Sequence, residues 1–501
     1  MEIDLSTPFG VSVALLPELL LSAWALLVVL LVAWRHRTPG DARLAGWLSL
    51  PGLVLAAAAL GWLARTGVHP AGPSLMVSLD GYRYAAGLLI VTCAAAAVLL
   101  SIPYLEREGI TAPEFYPLVL LATVGMLAMV AASDLIVFFL GLETMSVAIY
   151  VLAGYDRRSA FSAEAALKYF LIGAFASGFL LYGIALTYGA AGTTDLSFIG
   201  AQLGSARISV MAGIGLALIL VGFAFKVAAV PFHMWAPDVY DGAPTTVTTF
   251  MATAVKAAAF LALVRVLVVA FPAAADDWRP VVATLAVATM IFGNLVALVQ
   301  RSLKRMLAYS AIAHAGYLLV AVHAQTVAGP GAVWLYLAAY AVTTIASFGF
   351  LAALGRGGER DVTLDRIAGL ASERPGVALG LAISMLSLLG FPGTFGFIGK
   401  WNILMTSVGE GSVLLPVVLV LTSVISAGYY LPVIMAMYMK PAPRAGAYTE
   451  VRTGWVAGVV LTVCVAAIVA LGVLPAGALH TTEGVASTLP PPPVTQPGPQ
   501  P

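Results

Sequence analysis

The stretch FKVAAVPFHMWAPDVYDGAPTTVTTFMATAVK, from Phe225 to Lys256, opens near the end of one apolar run and closes within another. The runs cover 209 to 230 and 245 to 271, each long enough to cross a bilayer as a helix, which takes about 20 apolar residues. Each holds a lysine where a single charge costs roughly 2.5 to 3.5 kcal/mol. Pro231 follows Lys226 closely. Because proline cannot donate to the carbonyl of Val227, the helix is expected to break there and free a carbonyl beside the lysine. In the second run Thr246, Thr249, Thr253 and Lys256 recur at three and four, forming one polar stripe on an apolar helix. Such hydroxyls can hold water, although threonine also serves as a helix-packing residue in membranes.

The same reading extends over the whole chain. Of its 501 residues 61% are hydrophobic and 10% charged, too little polar surface to cover soluble domains of that length. Fourteen apolar runs emerge: 13 to 34, 44 to 64, 84 to 103, 115 to 132, 135 to 154, 165 to 188, 209 to 230, 245 to 271, 280 to 300, 307 to 325, 331 to 354, 376 to 409 with an internal break, 412 to 438 and 455 to 475. An all-α polytopic membrane protein is expected. Short loops with Lys and Arg prefer the cytoplasm, and the loop charges alternate. One set of loops carries Arg35, Arg37, Arg43, Arg107, Arg157, Arg158, Arg301, Lys304, Arg305, Arg356, Arg360, Arg366, Arg374, Lys440, Arg444 and Arg452; the other carries Arg65, Arg83, Arg207 and Arg279. That bias fits an even number of spans with both termini outside the cytoplasm.

Glu2 and Asp4 take the place of a basic leader, so the first run reads as an anchor rather than a cleaved signal. Cys93 and Cys464, far apart in sequence, give no basis for a disulfide framework or metal site. The Pro-rich tail from Leu489 to Pro501 is expected to be disordered. A net charge of +1 gives no basis for a nucleic-acid partner.

Lysine and arginine are segregated. Four of the six lysines (Lys168, Lys226, Lys256 and Lys400) fall in apolar runs, whereas nearly every arginine falls in a loop. A desolvated lysine can lose its proton and a guanidinium effectively cannot, so a site that gains and releases protons calls for lysine. Among the acids Glu143 alone lies deep in a span. Ionisable residues inside spans mark ion paths; the plainer reading is that they pair to hold helices together. For Lys168 the plainer reading is equally strong, since Glu164 precedes it by four residues near a helix end. His314 shares a face with Ser310 and Tyr317, as Glu143 does with Ser146 and Tyr150, and histidine can relay a proton through either ring nitrogen. His233 and His323 lie nearer to loops.

The twelfth run has its own break, with Gly390, Pro392, Gly393, Gly396 and Gly399 beside Lys400. Non-helical backbone at membrane depth is tolerated only inside protein or along a watered cavity. Breaks in runs seven and twelve, five apart, cross in opposite directions and imply an inverted repeat of runs four to eight and nine to thirteen. The expected units are a three-helix segment (1–110), a first repeat (111–275), a second repeat (276–440), a last helix (441–488) and the tail (489–501).

The opening stretch, together with SLKRMLAYSAIAHAGYLL (Ser302 to Leu319) and GFPGTFGFIGKW (Gly390 to Trp401), resembles the antiporter-like subunits of respiratory complex I. The resemblance runs from about the fourth span to the thirteenth. Lysine rather than glutamate at position 400, and a chain that stops after fourteen spans without a long lateral helix, favour one kind of subunit in that family. ETMSVAIYVLAGY (Glu143 to Tyr155) and EAALKYFLIGAFASGFLLYG (Glu164 to Gly183) point the same way.

The resemblance implies a proton-translocating subunit in a bacterial inner membrane. Glu143 and Lys226 would be an interacting pair, Lys256 the central carrier, His314 a connector and Lys400 the exit-side carrier, with Lys168 a further candidate. It implies no cofactor in this chain, and NADH, flavin, iron–sulfur clusters and quinone in partner subunits. Partners would include antiporter-like subunit M and small subunit K. The residues agree: no Rossmann fingerprint, iron–sulfur cysteine pattern or phosphate loop is present. A multisubunit cation/proton antiporter shares the same motifs.

Overall fold

The computed structural model describes residues 2–5, 7–35, 39–70, 76–110, 113–204, 208–324, 328–355, 362–442, 448 and 454–489. Arg37, Arg207, Arg356, Arg360, Arg444, Arg452 and residues 490–501 of the expected disordered tail lie outside them. Helices dominate, as they must where lipid offers backbone groups no partner. Among the described residues the only strand pairing in a sheet joins Glu2–Ile3 to His69–Pro70.

Among the described residues eleven helices are long and apolar enough to cross a membrane: Leu16–Arg35, Gly40–Thr66, Gly81–Arg107, Leu135–Ala153, Ala160–Ala191, Thr245–Ala270, Pro272–Ala297, Leu303–His323, Gly329–Leu354, Leu414–Met439 and Trp455–Val473. Three shorter apolar helices, Phe115–Ala131, Val210–Lys226 and Pro375–Leu389, stand at the fourth and seventh apolar runs and the first part of the twelfth. Two of the short helices owe their length to the anticipated breaks. Val210–Lys226 is followed by an irregular stretch and the short helix Trp235–Gly242, and Pro375–Leu389 by a turn and Phe395–Gly409.

Both breaks close with the same cap. In the first, Ala229 N–H donates to the Ala224 carbonyl (2.8 Å) and Ala228 N–H to Phe225 (3.1 Å); in the second, Phe391 N–H donates to Leu386 (2.9 Å) and Gly390 N–H to Ser387 (3.1 Å). This is the Schellman pattern, which needs a left-handed residue just past the helix. Gly390 supplies it at φ +87°, and Ala228, unusually, at φ +59°. The first helix thus ends at Lys226, before Pro231 can act on it.

Thr245–Ala270 is the central helix, buried along almost its whole length, as is Leu303–His323. It is also irregular. Met251–Val255 and Val266–Ala270 wind as π-helix, flanking the regular segment Lys256–Arg265. Π-turns concentrate at functional sites. Close backbone approach holds the outer helices together, as at Gly183 and Gly215, where a Cβ on either would lie within about 3 Å of backbone on the other helix.

Candidate functional site

Glu143 and Ser146 sit one turn apart on Leu135–Ala153 and face different neighbours. The half-buried Glu143 carboxylate accepts from Ser177 on Ala160–Ala191, while the buried Lys226 ammonium donates to Ser146 Oγ at 2.7 Å. Each member of the expected pair therefore bonds a serine, although Glu143 stays within electrostatic reach of the ammonium. The Phe225 carbonyl accepts from the Ala228 cap N–H at 3.1 Å and from the Trp235 indole at 3.0 Å, and among the described residues Lys226 bonds neither it nor the Val227 carbonyl expected to be freed beside it. Lys226 lies over the rings of Tyr150, Tyr169 and Phe225 at 5.5, 5.6 and 5.8 Å. An ammonium without an ion pair is favoured here by ring faces and by its place in the last turn of its helix, at the negative end of the dipole.

Lys256 leaves the first π-turn and donates to the Ala311 carbonyl at 2.5 Å, with its ammonium 5.3 Å from the Tyr340 ring. The threonine stripe above it is turned inward on its own helix: Thr249 and Thr253 donate to Thr245 and Thr249 carbonyls. The Thr246 hydroxyl is buried without a protein partner among the described residues.

His314 lies one turn beyond Ala311. Its Nδ1 meets the Tyr336 hydroxyl at 2.7 Å and its Nε2 the Tyr430 hydroxyl at 3.2 Å. The edge of Tyr317 and the tilted ring of Tyr340 close over it at 5.4 and 5.1 Å. Lys400, on the helix after the second break, reaches back to the Leu389 carbonyl at 2.9 Å and to Ser423 Oγ at 3.2 Å, 4.7 Å from the Tyr317 ring. Here the freed carbonyl at the break does bind the lysine, at the negative end of Pro375–Leu389.

Lys168 stands apart. It is 39% exposed and pairs with Glu164 and with Asp238, both at 2.7 Å, and Asp238 also holds Arg305 at 2.9 Å. Burial raises the Asp238 carboxyl, but hydrogen bonds from Lys168 and Arg305 outweigh it and hold the group below the usual carboxylate range. His233 and His323 are near neither the buried lysines nor His314 in any hydrogen bond among the described residues.

Several contributors carry no clear signal in the sequence. Tyr336, Tyr340 and Tyr430 look like ordinary core tyrosines; only the i, i+4 spacing of Tyr336 and Tyr340 hints at a shared face. Lys304, a loop charge by sequence, is wholly buried and donates to the Ala243 carbonyl at 2.7 Å. Arg265 sits inside a span, over the ring of Tyr82 and clamped on Asp80 by two bonds of 2.6 and 2.8 Å.

Residues 132–426, which include all of these lysines, match the family model described as NADH:quinone oxidoreductase/Mrp antiporter, TM. The chain belongs to that family. A curated relative from Salinibacter ruber, named NADH-quinone oxidoreductase subunit N, is 43% identical over 97% of this chain and 98% of its own. Among solved structures, a chain of respiratory complex I from Thermus thermophilus with bound aureothin superposes at TM-score 0.76 and 34% identity, covering 93% of this chain and 98% of that one. A chain of the Mrp complex from Dietzia superposes at 0.81 over 95% of this chain and 97% of that one, but at 23% identity it attests the fold alone. Among the described residues no group of three or more His, Cys, Asp or Glu could hold a metal ion.

Proposed function

We infer that the chain is the proton-translocating subunit N of a bacterial NADH:quinone oxidoreductase. Protons pass by Glu143, Lys226, Lys256, His314 and Lys400, while NADH, flavin, iron–sulfur clusters and quinone are handled by partner subunits. The observation that carries this reading is that each of three buried lysines sits at a helix irregularity, on a neutral partner. Lys226 and Lys400 flank capped breaks and Lys256 follows a π-turn. Held by carbonyls, hydroxyls and ring faces, not by a carboxylate, an ammonium is free to give its proton away.

Glu143 modulates Lys226. Its approach favours the protonated amine, and its withdrawal onto Ser177 releases that proton toward Lys256. The drive originates in the redox subunits. Fourteen crossings, both termini outside the cytoplasm, and two halves (111–275 and 276–440) in inverted relation complete the reading, with subunits M and K as membrane-arm neighbours. Lys168 serves at the cytoplasmic rim.

The test is Lys256→Met in the assembled complex, with NADH-driven proton uptake and quinone reduction measured in membrane vesicles. Loss of both is expected with assembly intact. Wild-type pumping per NADH would remove Lys256 from the path. The cation/proton antiporter reading, which shares the family model, requires instead that Na⁺ gradients alone drive exchange without NADH oxidation activity comigrating with the chain.

A further inference from the structure

Among the described residues His314 is the only group between Lys256 and Lys400 held at both ends by hydroxyls that can reverse their bonds. A neutral imidazole has one nitrogen that donates and one that accepts, and a hydroxyl can do either. Tyr336 meets Nδ1 and Tyr430 meets Nε2, while Tyr430 also shares a short hydrogen bond with Ser310 Oγ. Ser310, Tyr430, His314 and Tyr336 are all buried. The two ends of this chain adjoin the segments that hold the two lysines. Ser310 is the residue before Ala311, whose carbonyl binds Lys256; Tyr336 packs on Gly399, the residue before Lys400, closely enough that a Cβ there would stand 3.0 Å from its ring.

We propose that Tyr430 and Tyr336 are members of the proton path, forming with Ser310 and His314 a relay of hydroxyl, imidazole and hydroxyl between the Lys256 and Lys400 segments. In one state Ser310 donates to Tyr430, Tyr430 donates to Nε2 and Nδ1–H donates to Tyr336. A proton arriving on Ser310 Oγ displaces the serine proton to the Tyr430 oxygen. The tyrosine proton passes to Nε2, the Nδ1 proton passes to the Tyr336 oxygen, and the original Tyr336 proton leaves. Each oxygen ends with one proton and the imidazole is again neutral, in its other tautomer. Rings of Tyr317 and Tyr340 on either side hold the imidazole so that tautomer exchange, not rotation, carries the proton.

This inference rests on the reading of a path through His314, and the experiment separates the two. Tyr430→Phe and Tyr336→Phe keep the rings and remove only the hydroxyls; Tyr438→Phe, on an exposed tyrosine of the Tyr430 helix, is the control. In vesicles carrying the whole complex, each relay variant is expected to slow proton-coupled quinone reduction by about tenfold or more, because phenylalanine leaves no oxygen to take up and pass on the proton. The solvent deuterium isotope effect is expected to rise above that of wild type and of Tyr438→Phe, which a purely packing role would not produce. If His314→Ala abolishes pumping while both phenylalanine variants match wild type in rate and isotope effect, the relay is wrong and the path stands. If His314→Ala itself pumps normally, the path through His314 fails. Should the tyrosine variants not assemble, Ser310→Ala decides: a severalfold loss of rate with a raised isotope effect supports the relay, and wild-type values overturn it.

Discussion

Glu143 bonds Ser177 while Lys226 bonds Ser146, so the carboxylate acts on the lysine through space. Charge then matters more than shape. Glu143→Asp is expected to keep part of the activity, and Glu143→Gln, which preserves shape but not charge, to lose about tenfold or more in NADH-driven proton uptake. The reverse order, in complexes matched for assembly by immunoblot, would make geometry the governing property. Lys400→Arg keeps a charge that scarcely releases its proton, and it must fit a wider group between the Leu389 carbonyl and Ser423. It is expected to turn over about as poorly as Lys400→Ala; full activity would reduce Lys400 to an electrostatic support. Lys226, Lys256 and Lys400 are legible because lysine in an apolar run is costly and conspicuous, whereas the buried Lys304 reads as a loop charge. Tyr336 and Tyr430 are not, since an apolar helix accepts tyrosine for many reasons and only the fold brings their hydroxyls to one imidazole.

Proline and glycine announce the interrupted helices, but only the second break lies where they place it, at Gly390; the first falls at Lys226, ahead of Pro231, on the left-handed Ala228. Their chemistry differs in detail. Lys226 bonds Ser146 and not the Val227 carbonyl expected beside it, while Trp235 reaches the Phe225 carbonyl from beyond the break, a contact between residues whose spacing through irregular backbone no periodicity encodes. The π-turns around Lys256–Arg265 are equally silent, for MATAV and VLVVA suit a regular helix. Gly390 can be tested directly. Its left-handed φ and the Lys400 side chain, 2.8 Å from where a Cβ on Gly390 would stand, mean that Gly390→Ala should destabilise the break by about 1 to 2 kcal/mol and displace Lys400. Gly376→Ala, with nothing within 4 Å among the described residues, should do neither. Thermal unfolding of the detergent-solubilised complex and its turnover would distinguish them; equal behaviour of the two variants would show that the cap does not position the lysine.

Across the whole molecule, charge is concentrated at the two ends of the central helix. At one end Asp238 joins Lys168 to Arg305. At the other, Arg265 clamps Asp80, and Arg83 grips Glu18 through one nitrogen at 2.9 and 3.0 Å while donating to the Ser78 carbonyl. The sequence disclosed the Glu164–Lys168 pair by its spacing of four, but not Arg265 with Asp80, partners 185 positions apart. Burial raises the Asp80 carboxyl, yet Arg265 outweighs it and holds the group below its usual value. Its contribution to stability is therefore complete above the unfolded pKa and is lost only as pH falls through the lowered folded value, below about 4. Asp80→Ala leaves Arg265 buried without its partner and is expected to cost about 3 kcal/mol at neutral pH, measured by thermal unfolding; a loss that persists unchanged at pH 3 would assign the effect to packing. The same clamp bears on how the chain is made. Glu18 meets Arg83 as soon as the third helix enters the membrane, whereas Asp80 must wait until translation has passed Arg265. A ribosome-bound chain stopped at residue 240 would thus carry an acid that caps its own helix but lacks its arginine, and one stopped well past 270 would have both, so protease sensitivity of the early helices should fall sharply between those two lengths.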